Sequence, residues 1–236
     1  MMLPFAFGQD ANDEISVLAI GAHSDDIEIG CGATLLQLIE RYPSLTICWV
    51  VLSAHGERVG EAARSAEAFL AGLEHHRLIL RDFKDGFFPY CGAEIKVFFE
   101  ELKHIFTPDL ILTHYGADRH QDHRVASELT WNTFRDHLIL EYEIPKFDGD
   151  LGTPNVFVPL DEATCRRKVE TLLEHFGSQR GKHWFTADLF YSLMRLRGME
   201  SHAPSRYAEA FYCRKSVLQI AGPSDAATPR RAFPSR

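Results

Sequence analysis

No apolar run in this 236-residue chain approaches the roughly 20 residues that a bilayer-spanning helix needs, so membrane insertion is not expected. The opening stretch, MMLPFAFGQDANDE, has neither a basic leader nor a small-residue cleavage pattern, and the expected location is the cytoplasm. Cations are in deficit: 25 Lys and Arg face 33 Asp and Glu, a formal charge of −8. That balance argues against nucleic acid and anionic membrane surfaces as partners, both of which demand a basic face. Cysteine is sparse and scattered. Cys31, Cys48, Cys91, Cys165 and Cys213 are odd in number and never form a C-x-x-C pair, which points away from a disulfide framework and from a thiolate zinc site. There is no internal repeat.

What is present has the balance of an ordinary globular protein, 45% hydrophobic and 25% charged, expected to fold alone or as an oligomer of itself. Short apolar runs alternate with helix-periodic segments. Strands are predicted over 15–22, 45–52, 77–83 and 110–113, with helices over 33–40, 61–71 and 95–106 between them. Runs such as VVL, LIL and LILT need not alternate in polarity if both faces of their sheet are covered. The pattern predicts an α/β fold, a Rossmann-like three-layer α/β/α sandwich with a mostly parallel central sheet. Strands over 138–144, 156–160 and 210–214 and helices over 165–176 and 187–196 should complete it. Residues 1–220 read as a single domain, and 221–236, rich in Pro, Ala, Ser and Arg, as a disordered tail.

Ligands in such sheets gather beyond the carboxyl ends of the strands. After the first strand comes Gly21-Ala22-His23-Ser24-Asp25-Asp26-Ile27-Glu28, and after the fourth His114-Tyr115-Gly116-Ala117-Asp118-Arg119-His120-Gln121-Asp122-His123. Carboxylates this crowded repel one another unless a cation compensates. Three N and O ligands with an open position make a catalytic zinc site, and His23, Asp26 and His123 supply that set; Fe2+ or Co2+ would fit the same donors. Spacing alone does not say which of Asp25 and Asp26 is the ligand. A helix starting near His120 would put His120 and His123 on one face.

The pairing of AHSDD with HQDH resembles the LmbE-like, or PIG-L, family of N-acetylglucosaminyl deacetylases, whose signatures are A-H-P-D-D and H-P-D-H. The likeness continues through GCGATL at Gly30 to Leu35, Arg64-Ser65-Ala66-Glu67, Asp85-Gly86, His175 to Gln179 and Ala208 to Phe211. The resemblance implies a zinc-dependent hydrolase that removes the acetyl group from a small-molecule N-acetylated amino sugar. In that reading His23, Asp26 and His123 hold the metal, Asp25 is the general base toward the metal's water and His120, in protonated form, stabilises the oxyanion. Asp122 would orient or charge-stabilise the His120 imidazole. Arg64 and Asp85 match positions near the sugar pocket, and Asp118 stands where some members carry a Tyr that helps bind the carbonyl. Ser24 and Gln121 replace the family's prolines.

Three other readings stay open on the sequence. The chain could cleave another amide of an amino-sugar or thiol conjugate, bind sugar without turnover, or bind a nucleotide as a Rossmann-like module. Gly30-Cys31-Gly32 lacks the third glycine of a dinucleotide fingerprint and is better explained by close packing against the metal site.

Overall fold

The computed structural model describes residues 13–218; the stretch 221–236, expected to be a disordered tail, lies outside them. Seven strands form one sheet: β1 (Ser16–His23), β2 (Thr46–Ser53), β3 (His75–Leu80), β4 (Leu110–His114), β5 (Leu138–Tyr142), β6 (Val156–Leu160) and β7 (Tyr207–Tyr212). Their order is β3-β2-β1-β4-β5-β7-β6. The first five run parallel, whereas β7 lies antiparallel between β5 and β6. Among the described residues six α-helices cover it: α1 (Asp26–Arg41), α2 (Glu57–Phe69), α3 (Gly92–Ile105), α4 (Gln121–Thr133), α5 (Glu162–His175) and α6 (Ala187–Glu200).

The unbroken apolar runs of the central strands serve two cores at once. In β1, Val17 and Ala19 face one core with Trp49, Phe69, Leu172 and Phe190, while Leu18 and Ile20 face the other with Val50, Phe99, Ile111 and Ala126. Successive strand side chains point to opposite faces, so α1, α2, α5 and α6 cover one side of the sheet and α3 and α4 the other. This is the three-layer arrangement expected, with antiparallel strands confined to one flank.

Element bounds differ from expectation chiefly at α1, predicted from residue 33 and observed from Asp26. Every residue from Asp26 to Leu36 is buried, so the first three turns have no solvent face and no amphipathic period to reveal them. The glycines expected to pack a loop instead sit inside this helix. A Cβ on Gly30 would lie 2.1 Å from the Tyr142 ring and one on Gly32 2.7 Å from Phe69, so both let α1 approach its neighbours.

Between β1 and β4 the chain reverses its direction of travel across the sheet, since β1 leads outward to β2 and β3, and β4 to β5. Such a switch point leaves a crevice at the strands' carboxyl ends. His23 closes β1 and His114 closes β4, which sets both expected clusters at that crevice.

Candidate active site

Two helix starts meet at the crevice. Asp25 is the N-cap of α1 and Asp26 its first residue; His120 is the N-cap of α4, and His123 lies in its first turn. Unpaired N–H groups at helix N-termini favour nearby negative charge, which eases the crowding of carboxylates there.

Three donor atoms converge. His23 Nδ1 lies 3.3 Å from Asp26 Oδ2 and 3.3 Å from His123 Nε2, and His123 Nε2 is 3.6 Å from Asp26 Oδ2. Ligand bonds of about 2.0 to 2.1 Å to a tetrahedral ion imply edges of about 3.3 to 3.4 Å between donors, so this triangle is the size of one tetrahedral face. The outer nitrogens of both imidazoles meet carboxylates. His23 Nε2 is 3.1 Å from Asp85 Oδ1 and 3.3 Å from Asp122 Oδ2, and His123 Nδ1 is 2.9 Å from Asp118 Oδ2. A ring nitrogen that donates outward leaves its partner nitrogen with an inward lone pair, the tautomer a metal ligand needs. Three lone pairs so close need a cation among them, a proton on His23 in the metal-free chain or a metal ion in its place. The residues therefore fit a divalent metal.

The electrostatics follow from burial and these contacts. Burial opposes charge on Asp26, but His123, His114 and His23 outweigh it and hold the carboxyl well below its usual range. For His23, burial is outweighed by Asp26, Asp122 and Asp85, and its pKa is raised well above normal. His123 goes the other way, to about 4, because burial and the neighbouring His114 dominate. The hydrogen bond from His23 is the main cause that takes Asp85 down to about 2. Asp25 is raised by burial, against the opposing pull of Arg58.

Asp25 contacts Arg58 Nη2 through Oδ1 at 2.6 Å and leaves Oδ2 buried without a partner. His120 stands edge-on to His23 with ring centroids 4.9 Å apart, and its Nδ1 accepts the backbone N–H of Asp122 at 3.3 Å. An accepting Nδ1 puts the proton of the neutral ring on Nε2. Burial first, and then the charge of a protonated His23, lower the His120 pKa against the opposing pull of Asp122, Asp26 and Asp118, so the protonated form expected at His120 is disfavoured in the metal-free site.

Two carboxylates lie elsewhere than expected. Asp122, expected to orient or charge-stabilise the His120 imidazole, does pull the His120 pKa up through its charge, but its oxygens accept from Gly86 N at 2.6 Å and Phe88 N at 3.1 Å and face His23, tying down the loop after β3. Asp118, expected to meet substrate, is 2% exposed, with Oδ1 accepting the backbone N–H of His120 at 2.7 Å and Oδ2 between His123 and Lys146. Asp85, with a side chain 65% exposed, is at the rim beside His23. Arg64 is exposed on α2 and makes no hydrogen bond or ion pair with the described residues.

Sequence reasoning passed over His114 and Arg58. His114 is fully buried, stacked on His123 with centroids 4.0 Å apart, and its Nε2 lies 3.2 Å from Asp26 Oδ2. That nitrogen accepts the Ala22 N–H at 2.9 Å, so its lone pair is engaged and the ring buttresses the triangle rather than joining it. His114 stands within the second cluster but has the look of a strand end; Arg58, in GERVGE, carries no signal at all.

The family described as PIG-L, GlcNAc-PI de-N-acetylase, matches residues 18–134. The uncharacterized deacetylase YaiS of Escherichia coli K12 is 30% identical over 189 residues, covering 74% of this chain and 97% of YaiS. The N,N'-diacetylchitobiose deacetylase of Pyrococcus horikoshii shares the fold at a TM-score of 0.68 and 18% identity, over 85% of this chain and 84% of that one. GalB of Pseudomonas putida KT2440, a 4-carboxy-2-hydroxymuconate hydratase, shares it at 0.71 and 16%, over 88% and 99%. The same scaffold thus carries more than one reaction, and chemistry is decided by the side chains of the site. By sequence and by the paired clusters at its switch point, this chain belongs to the PIG-L deacetylase family.

Proposed function

We propose that the protein is a metal-dependent hydrolase that removes the N-acetyl group from an amino sugar or its conjugate. The observation that carries the reading is the triangle of His23 Nδ1, Asp26 Oδ2 and His123 Nε2, with edges of 3.3, 3.3 and 3.6 Å. Those residues would hold zinc, and Fe2+ or Co2+ would suit the same donors. A divalent metal bound there supplies Lewis acidity, acidifying water and polarising a carbonyl.

The chain's own groups account for the proton movements. Asp25 Oδ2, buried and unpartnered, takes the proton of the attacking water as its oxygen bonds to the acetyl carbon. His120 donates from Nε2–H to the carbonyl oxygen as negative charge grows there, a role a neutral ring can fill. Asp25 then returns the proton to the nitrogen as the C–N bond breaks, giving acetate and a free amine. Asp118, Asp122 and Asp85 hold the imidazoles in place.

Acetate release should be measured across N-acetylated monosaccharides, nucleotide sugars and glycoconjugates with the metal-reconstituted protein. At least one class should be hydrolysed, and Asp25→Ala should lower turnover by about 10²- to 10⁴-fold while retaining metal. Full activity in that variant would overturn the mechanism.

A further inference from the structure

Arg58 lies outside both motif clusters, yet it makes the one hydrogen bond that the Asp25 carboxylate has with the described residues. A guanidinium beside a carboxylate commonly engages both oxygens through two parallel N–H groups. Here one nitrogen meets Oδ1 at 2.6 Å, Oδ2 is buried without a partner, and Arg58 Nε is likewise buried and unpartnered. A pair that served only to neutralise a buried charge would gain by closing the second contact, because an orphaned buried oxygen is costly. The single contact instead holds one oxygen and leaves the other without a protein partner.

The placement of Arg58 is built into the loop after β2. Gly56 adopts φ +55°, a left-handed turn that glycine takes without strain, and α2 begins at the next residue. His55 is tied through Nε2 to the Phe83 carbonyl at 2.9 Å, and the Arg58 N–H donates to the His55 carbonyl at 3.1 Å. The side chain, 24% exposed, thus reaches from the rim of the crevice inward to Asp25, 6% exposed.

We propose that Arg58 is a positioning residue for Asp25: by holding Oδ1, it presents Oδ2 alone to the reacting water. The inference rests on the reading of Asp25 as the base. In the metal-loaded full chain, Arg58→Met should lower kcat by at least about tenfold while KM stays within about threefold and metal content is unchanged. The double variant Arg58→Met with Asp25→Asn should be no slower than Asp25→Asn alone, since Arg58 acts only through Asp25. Crystal structures should show the Asp25 side chain turned from its wild-type rotamer in Arg58→Met, with His23, Asp26 and His123 unmoved. Arg58→Lys keeps the buried charge paired and is read by the same kcat and KM split if the Met variant does not fold.

A raised KM with kcat preserved would overturn the proposal and make Arg58 a substrate contact. So would a further loss in the double variant, or an Asp25 side chain that does not move. Wild-type protein that hydrolyses no N-acyl substrate would instead sink the hydrolase reading, while the Asp25 rotamer would still decide whether Arg58 holds it.

Discussion

Around the two converging imidazoles, each outer nitrogen has a carboxylate and each inner one points into the triangle. In the proposed metal site, Asp118 behind His123 and the Asp85 and Asp122 pair behind His23 would set tautomers, which is a different task from touching substrate. The difference is measurable. Asp118→Ala should weaken metal binding by about 10- to 100-fold in a chelator competition with little change in KM once metal is saturating. Unchanged metal affinity with a raised KM would restore Asp118 to the substrate. Removing the base should act otherwise: Asp25→Ala should cost about 10²- to 10⁴-fold in kcat with metal content intact, as measured by acetate release beside elemental analysis. The residue types of the site were legible in the sequence, because carboxylates and imidazoles this dense call for a cation among them. Which carboxylate serves which imidazole was not, since that depends on how α4 leaves its N-cap and where the loop after β3 folds back.

At the scale of elements, α1 carries the tightest constraints. Its first three turns are buried, and Glu209 from β7 accepts the N–H groups of Ala33 at 3.0 Å and Thr34 at 2.7 Å while pairing with buried Lys168 at 2.6 Å. Glu209→Ala would leave that cation and those N–H groups unmatched, and a loss of about 3 to 5 kcal/mol is expected in denaturant unfolding. A loss below about 1 kcal/mol would mean that Lys168 finds another partner. Glu28, fully buried one turn from the site, is raised by burial from an ordinary 4.5 to about 8, despite a hydrogen bond from Ser65. Below pH 4.5 the folded and unfolded states both hold this proton, and the contribution to stability is fully present. As pH rises toward 8 the unfolded chain loses the proton first, so stability falls by up to about 1.4 kcal/mol per pH unit. In metal-free protein, Glu28→Gln should flatten the decline in Tm between pH 5 and pH 8; an unchanged slope would place the titrating group elsewhere. None of this was visible in the sequence. A helix buried on all sides has no amphipathic period, and Glu28 read only as part of an acidic cluster.

For the whole molecule, the order of strands carries function more than any one of them. The alternation of apolar runs and helical segments was enough to foresee a parallel sheet covered on both faces, because Val17 and Leu18 each need a core on their own side. The antiparallel placement of β7 between β5 and β6 was not foreseen, since a strand's partners depend on contacts far along the chain. The reversal between β1 and β4 brings His23 and Asp26, from the start of the chain, to His123 about a hundred positions later. Metal content tests that convergence most directly. After reconstitution and dialysis the wild-type protein should hold about one divalent transition metal per chain, and a His23→Ala, His123→Ala double variant, folded by circular dichroism, should hold almost none. A wild-type chain that stays metal-free, or a double variant that binds as much as wild type, would contradict the proposed centre.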